Sequence, residues 1–364
     1  MQAPLRVLLV GPLPPPSGGM ANQTRQLRRL LEGEGIHVTV VQTNAPYRPA
    51  WIEPVRGVRA LFRLLPYVRR LFVESGRADV VHVMANSGWA WHLFAVPAIR
   101  IAGLRRAIVV VNYRGGLARE FLASHAASVK RAVSIAGALV VPSRFLQEIF
   151  AAHGMPSVIV PNVVDTEVFR PADSPLERAS DEPHIVVARN LEALYGNDVA
   201  IKALAIVRQR HARARLSIAG SGPELDSLRH LAAGTGLEHA VHFTGRLEVQ
   251  EMVALYQDAD VVLNPSRADN TPNSVLEALA CGVPVVSTDV GGMSYLVQHE
   301  QTAWLVPPES PERMADGIVR LLEDRDLRRK LVRNGSLLAA KCSWPAVRDK
   351  WLALYRPGLL AADS

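Results

Sequence analysis

Short runs of β-branched and apolar residues recur along this chain with helical stretches between them. The alternation runs once, lapses, and then begins again. That pattern describes βα units feeding a parallel sheet with helices on both faces. In the first half the runs predict strands over 5–10, 36–42, 79–84, 107–112, 138–141 and 157–160. In the second half they predict strands over 184–188, 214–219, 260–263, 283–287 and 303–306. Near residue 171 the pattern gives way to PADSPLERASDEP, a Pro- and charge-rich stretch of the kind that joins domains. The expected organisation is therefore a Rossmann-like domain over 1–170, a linker over 171–183, a second Rossmann-like domain over 184–342, and a closing helical segment over 343–364 that packs back on the first domain. Two such domains, each an α/β sheet, imply a crevice between their carboxyl edges, where ligands of these folds bind.

At 364 residues with 49% hydrophobic composition, the chain can fill two ordinary cores. No apolar run approaches the roughly 18 to 20 uncharged residues that a spanning helix needs, and the N-terminus leads directly into a strand-like run, so neither a membrane span nor a signal peptide is expected. Cys281 and Cys342 have no metal-like spacing and fit a reducing, cytoplasmic setting. The net charge of +7 is unevenly placed: residues 1–178 carry 21 basic against 11 acidic residues, the remainder 20 against 23. The first half is thus expected to face something anionic: phosphate groups, a lipid surface or nucleic acid. Within it, residues 56–72 read as a basic amphipathic helix. Arg56, Arg59, Arg63 and Arg70 lie on one side and Leu61, Leu64, Leu65 and Val68 on another, which suits either a helix docked on the sheet or one resting on an anionic membrane. No aromatic interleaving or recognition motif accompanies the charge, which disfavours nucleic acid.

The most informative stretch is NPSRADNTPNSVLEALACGVPVVSTDVGG, residues 264–292. Thr271 and Pro272 read as an N-cap and first-turn proline, Val275, Leu276 and Leu279 as an apolar stripe, and Gly282 as the helix stop. The helix start, with Asn270 and Thr271 before it and the first-turn amides of Asn273 and Ser274, is expected to form an anion site at the positive end of the dipole. Glu277 stands about 9 Å further along at ~1.5 Å per residue, roughly a phosphate-to-ribose separation. A carboxylate there can accept two ribose hydroxyls, and Asp269 ahead of the helix can accept hydroxyls of whatever the diphosphate carries.

This block resembles the donor-site signature of the retaining glycosyltransferases of family 4, which have the two-domain GT-B fold with two facing Rossmann-like domains and carry two Glu residues separated by seven positions. Here the pair reads Asp269 and Glu277. The paired glycines after the first strand, VIVPNVVDTEVFRP, AGSGPEL and the closing SW helix also fall where that family has them. The resemblance implies that Glu277 holds the donor ribose, Asp269 the sugar hydroxyls and Arg189 the diphosphate. Gly18 and Gly19 would let backbone approach the same phosphates, and residues 244–247 would lie beside the base. It further implies a metal-independent hexosyl transfer with retention, no cofactor beyond the nucleotide-sugar donor, and a glycan or lipid-linked acceptor in glycan or polysaccharide biosynthesis. The chain departs from the family at three places. Asp269 replaces a Glu, Tyr195 stands where a Lys is usual, and Arg114 aligns with a histidine near the reacting carbon.

Plainer readings stand beside these. Arg114 suits a plain loop as well as an anion contact. Tyr195 suits packing, and His82 and His92 suit core positions. The triplet Asp324-Arg325-Asp326 suits helix capping rather than a metal. Two alternatives to a working transferase remain: a catalytically impaired nucleotide-sugar-binding subunit, favoured by Tyr195 and Arg114, and a nucleotide-sugar epimerase. GPLPPPSGGM lacks the GxGxxG fingerprint of a dinucleotide enzyme.

Overall fold

A computed structural model describes residues 4–15, 18–47, 59–172 and 181–356. The chain divides into two compact units, the first formed by 1–163 with 347–364 and the second by 164–346.

Unit 1 holds a six-stranded parallel sheet of β1 (Arg6–Gly11), β2 (His37–Gln42), β3 (Val80–Ala85), β4 (Ile108–Tyr113), β5 (Ala138–Val141) and β6 (Val158–Ile159), in the order β2-β1-β3-β4-β5-β6. Side chains alternate across it. Leu8, Val10, Val81, Val83, Val109 and Val111 face one core with Trp91 and Phe150, while Val7, Leu9, Val80 and Val110 are buried on the other side. Strands buried on both faces explain why these runs read as nearly continuous hydrophobics.

Unit 2 repeats the plan with β7 (His184–Ala188), β8 (Arg215–Ala219), β9 (Val241–Gly245), β10 (Val261–Asn264), β11 (Val285–Thr288) and β12 (Trp304–Val306), in the order β12-β11-β10-β7-β8-β9. Ile185, Val187, Leu216 and Ile218 join one core. Val186, Val262 and Val285 join the other, with Leu276 and Leu279 of the helix Asn273–Ala280.

Eleven of these strands fall where the apolar runs place them, and β9 was missed. Its sequence VHFTG mixes polar residues with a glycine because it is an edge strand with an exposed His242, joined to β8 with a register irregularity. The boundary between the units also lies earlier than the Pro-rich stretch. Val164 N–H donates to the Cys342 carbonyl at 3.0 Å, Gln257 donates to the Arg170 carbonyl at 2.8 Å, and Phe169 packs edge-on against Tyr256. These bonds make residues 164–172 part of unit 2. Most of the expected linker, 173–180, lies outside the described residues.

The basic amphipathic segment needs a larger correction. A helix spans Arg59–Ser75, but Arg56 and the side chains of Arg59 and Leu61 lie outside the described residues. The buried positions are Tyr67, Leu71 and Ser75, with Leu64 partly buried, and the Tyr67 hydroxyl donates to the Phe94 carbonyl at 2.7 Å. Anchoring at 64, 67, 71 and 75 turns Leu65 and Val68 outward, although the sequence grouped them with Leu64 on one apolar side. Arg63 is not on a solvated face either, since its guanidinium lies 3.9 Å from the Tyr47 ring centre. The exposed face is therefore mixed, with Phe62, Leu65 and Phe72 among Arg69 and Arg70.

This rotation has a direct test in stability. Leu71→Ala should lower unfolding stability by about 2 to 5 kcal/mol, whereas Leu65→Ala, at a residue that is 68% exposed, should change it by less than about 0.5 kcal/mol. Urea denaturation of the two variants decides it, and equal losses would place Leu65 back in the core.

Candidate active site

In each sheet the strand order reverses at one point, between β1 and β3 in unit 1 and between β7 and β10 in unit 2. Open α/β sheets bind ligands beyond the carboxyl ends of such strands, where diverging loops leave room. Arg189 follows the last residue of β7 and Asn264 ends β10, so both stand at the switch point of unit 2.

There the Arg189 Nε donates to Asn264 Oδ1 at 2.9 Å, and its Nη2 forms an ion pair with Asp269. The guanidinium lies 4.9 Å from the centre of the Tyr195 ring, a cation–π contact. Burial lowers the Arg189 pKa to about 10, opposed by Tyr195, Tyr256 and Glu277. Asn264 in turn accepts from Ser266 Oγ at 2.9 Å and donates to Ser287 Oγ at 3.0 Å, while Thr288 Oγ1 donates to the Ser266 carbonyl at 2.6 Å. The cation is thus held by a buried polar network reaching across β7, β10 and β11. Sequence reasoning found Arg189 and Tyr195 but missed Asn264. The signal was available, because Asn264 ends an apolar run as Arg189 does.

The helix after β10 runs over Asn273–Ala280 with Pro272 as its N-cap in extended conformation. It therefore begins one residue later than the sequence suggested. Thr271 is not the cap, because Pro272 keeps a ψ of 126°, which no helical residue has. Asn273 and Ser274 still occupy the first turn and are half-buried, while Asn270 and Thr271 are buried just before it. Asp269 Oδ1 accepts from the Asn270 N–H at 2.9 Å, which fixes the loop ahead of the helix. Gly291 locks it from the other side. This residue has φ +55°, a Cβ there would overlap the Asp269 carbonyl, and the neighbouring Gly292 N–H donates to that carbonyl at 3.1 Å.

Glu277, one turn into the helix, accepts from the Tyr256 hydroxyl at 3.1 Å. Burial raises the Glu277 pKa to about 7, against the lowering effects of Tyr256 and Arg189. Tyr256 is fully buried, and its own ionisation is pushed well above the usual range by that burial and by Glu277. Nothing in the spacing of the sequence connects Tyr256 to Glu277, since they sit on different helices. Residues 244–247 span the end of β9 and the start of the loop after it, where the exposed Arg246 donates to Ser221 Oγ at 2.5 Å and ties the loops after β8 and β9 together.

Gly18, Gly19 and Arg114 belong to unit 1. Gly18 caps the helix Gly19–Gly33 with an extended backbone that any residue adopts, and a Cβ there would meet nothing within 4 Å, so turn geometry does not require this glycine. Arg114 follows β4, half-buried, with its N–H on the Ala85 carbonyl and its Nε donating to Asn112 Oδ1 at 3.3 Å. Burial lowers its pKa to about 10. His82 is fully buried, and His92 packs against Phe121 and His125. Asp324 caps the helix Arg325–Lys341 by accepting from Leu327 N–H at 3.0 Å, and Asp326 is solvated.

Two family models match the chain: Glycosyltransferase Family 4 over residues 17–168 and Glycosyl transferases group 1 over residues 169–337. A GDP-mannose-dependent alpha-(1-6)-phosphatidylinositol monomannoside mannosyltransferase from Mycobacterium tuberculosis is 30% identical, over 95% of both chains. A D-inositol 3-phosphate glycosyltransferase from Acidothermus cellulolyticus is 33% identical over 60% of this chain and 51% of its own length. Among solved structures, sucrose-phosphate synthase from Thermosynechococcus elongatus superposes with a TM-score of 0.75 at 21% identity, over 99% of this chain and 100% of its own. HepE of Anabaena, solved with UDP and glucose, superposes with a TM-score of 0.72 at 18% identity, over 97% and 100%.

Glu277 gives the site a pH signature. Its acid form persists in the folded protein to about pH 7, so its contribution to stability is present at low pH and lost as pH rises from the ordinary carboxylate range through about 7. Only the ionised form accepts two hydroxyls, so affinity for a nucleoside diphosphate should rise about tenfold between about pH 6 and pH 8. Glu277→Gln keeps an acceptor for Tyr256 and should lose that rise, while Glu277→Ala should weaken binding about ten- to a hundredfold. Ionisation of the ligand itself acts on both proteins and cancels. Titration calorimetry giving the same pH profile for wild type and Glu277→Gln would remove this carboxylate from the binding step.

Proposed function

Because this chain belongs to glycosyltransferase family 4 and has its GT-B fold, we propose that it is a retaining, metal-independent hexosyltransferase that uses a nucleotide-diphosphate sugar to build a glycan or polysaccharide. Transfer of a sugar from a nucleotide sugar is the activity of the family. The observation that carries the finer reading is the arrangement in unit 2, where a buried arginine, a helix N-terminus and two carboxylates share one sheet edge.

In this reading Glu277 accepts the ribose hydroxyls. Arg189 and the amides of Asn273 and Ser274 take the diphosphate, and Asp269 takes sugar hydroxyls. As the bond from the anomeric carbon to the diphosphate oxygen breaks, charge grows on that oxygen, and fixed donors stabilise it without reorganising. The acceptor hydroxyl attacks the same face, and its proton passes to the leaving diphosphate, so no protein nucleophile is required. Tyr195 supplies no second cation and instead supports the one present. In unit 1, Gly18 and Gly19 leave backbone open to phosphate, and Arg114 adds a positive charge beyond β4. A second reading, a subunit that binds nucleotide sugars without turnover, is favoured by Tyr195 and Arg114, which stand where the family has a lysine and a histidine.

One experiment separates these readings. Incubated with a panel of nucleotide sugars and a chelator, the protein should release nucleoside diphosphate, and NMR of the sugar product should show the anomeric configuration of the donor. A strict need for added Mg²⁺ or Mn²⁺ would overturn metal independence, and an inverted product would overturn retention. Tight donor binding without release would select the silent subunit.

The acceptor is proposed to be lipid-linked, met by unit 1 at the inner face of the membrane in the cytoplasm. No helix among the described residues is long and apolar enough to cross a membrane. The support lies in the outward face of the helix Arg59–Ser75, where Phe62, Leu65 and Phe72 are exposed beside Arg69 and Arg70. The following helix adds Leu104, 78% exposed, with Arg105, whose guanidinium lies 4.7 Å from the Phe72 ring centre. Apolar side chains among arginines match the boundary between anionic headgroups and acyl chains, where each basic residue is worth about 1 kcal/mol. Co-sedimentation should therefore show binding to phosphatidylglycerol vesicles that fades with salt. Replacing Arg69, Arg70 and Arg105 by Gln should abolish it while leaving donor hydrolysis intact. Equal sedimentation of both proteins, or none of the wild type at low salt, would leave a non-lipid acceptor.

A further inference from the structure

Beneath Arg114 a line of polar side chains runs through the interior of unit 1. His82 and Met84 lie on one face of β3, and Asn112 lies on the same face of β4, with Met84 opposite Asn112 and His82 opposite Val110 in the register. His82 and Asn112 are therefore diagonal neighbours, and both are buried. Asn112 Nδ2 lies 3.1 Å from His82 Nε2 and 3.5 Å from Met84 Sδ, and its Oδ1 accepts from Arg114 Nε at 3.3 Å. His82 Nδ1 lies 2.7 Å from the Tyr355 hydroxyl, and the His82 ring packs 4.9 Å from that of Trp351. Tyr355 and Trp351 come from the helix Trp344–Tyr355 at the end of the chain.

These contacts fix one pattern. Burial and the Arg114 charge hold His82 neutral, with its pKa lowered to about 3, so each ring nitrogen has one role. An amide whose oxygen faces a guanidinium must turn its NH₂ toward His82 Nε2, which therefore accepts. His82 Nδ1 then carries the hydrogen and donates to Tyr355. No member of the line can flip without breaking a bond in the interior, where an unpaired polar group is costly. A long arginine side chain otherwise samples many rotamers. Holding its Nε sets the plane of the guanidinium and leaves the terminal nitrogens for an anion.

We propose that Asn112 is the positioning residue of Arg114, and that its own orientation is set through His82 by Tyr355 of the C-terminal helix. The proposal rests on the reading above that Arg114 acts on the anionic donor. His82 is then a core histidine with a second task, and the last turn of the helix Trp344–Tyr355 supports Arg114 from behind.

The test is a double-mutant cycle on the full-length protein, read as kcat at saturating nucleotide sugar and as Kd for nucleoside diphosphate. Arg114→Ala should lower kcat. Asn112→Leu, which removes the acceptor, should lower it about tenfold with Kd unchanged, and should add nothing in the Arg114→Ala background. Asn112→Asp keeps an acceptor for Arg114 but loses the donor to His82 that orients it, so its kcat should lie between those of wild type and Asn112→Leu. A merely structural role predicts that Asp is as damaging as Leu and that the Leu loss adds to that of Arg114→Ala, and either result overturns the positioning. Full kcat in Arg114→Ala would instead sink the reading of Arg114 itself. Should Asn112→Leu not fold, Tyr355→Phe enters the cycle in its place, keeping the ring and removing the hydroxyl, with the same non-additivity expected. Donor binding without turnover in the wild type would remove the step that Arg114 is proposed to serve, and overturns the positioning.

Discussion

Burying a guanidinium at the end of a β-strand is the constraint around which unit 2 is arranged. Removed from water, Arg189 would be strongly destabilising alone, and the chain meets that with three different partners: the Asn264 side-chain oxygen Oδ1, the Asp269 carboxylate and the Tyr195 ring. Each comes from a different place in the sequence, on β10, on the loop before the helix Asn273–Ala280, and on the short turn after β7. Because the three converge only if β7 and β10 are neighbours, the strand order and the site specify one another. The network continues through Ser266, Ser287 and Thr288, so a shift of one strand would leave several buried polar groups unpaired.

The central strands were legible because they are buried on both faces, which writes them as apolar runs needing no knowledge of partners. Edge strands carry that signal only where they keep an apolar run, as β2, β6 and β12 do despite their partial exposure. The edge strand β9 was lost for that reason, and the helix Arg59–Ser75 was rotated because leucines occupy both its buried and its exposed faces. Hydrophobic residues outside the core are ordinary in number, but here they gather with arginines, and composition alone could not assign the face. The start of the helix Asn273–Ala280 was misplaced by one residue because Thr-Pro matches a cap-and-first-turn pattern that the observed ψ of Pro272 excludes.

Site residues were found in proportion to how local their signal is. Asp269, Glu277 and the helix N-terminus lie within one short block, and Arg189 closes an apolar strand, so motif and periodicity reach them. Tyr256 and Asn112 have no such mark. Tyr256 belongs to a different helix from Glu277, and Asn112 matters through a diagonal neighbour on the next strand. Contacts of this kind depend on three-dimensional register, which a single sequence does not display. His82 shows the same limit from the other side: its burial was readable, but not what its two nitrogens face.

The exchange of a longer carboxylate for Asp269 acquires physical content from the geometry. An ionised carboxylate offers about four acceptor positions on its two oxygens. Here Oδ1 already accepts from the Asn270 N–H and Oδ2 pairs with Arg189, so about two positions remain for donors from a ligand. A side chain shorter by one methylene cannot lean far from the loop that Gly291 presses into place, so those positions have a fixed direction. The same pairing moderates Arg189, whose charge is shared between Asp269 and any arriving phosphate. A lysine at position 195 would have added a second cation to that balance, and Tyr195 adds a polarisable ring instead. In the proposed reading, unit 2 meets a diphosphate with Arg189 at a strand end and the helix dipole beside it. Selectivity for a donor would then rest on where two carboxylates can accept hydroxyls more than on total positive charge.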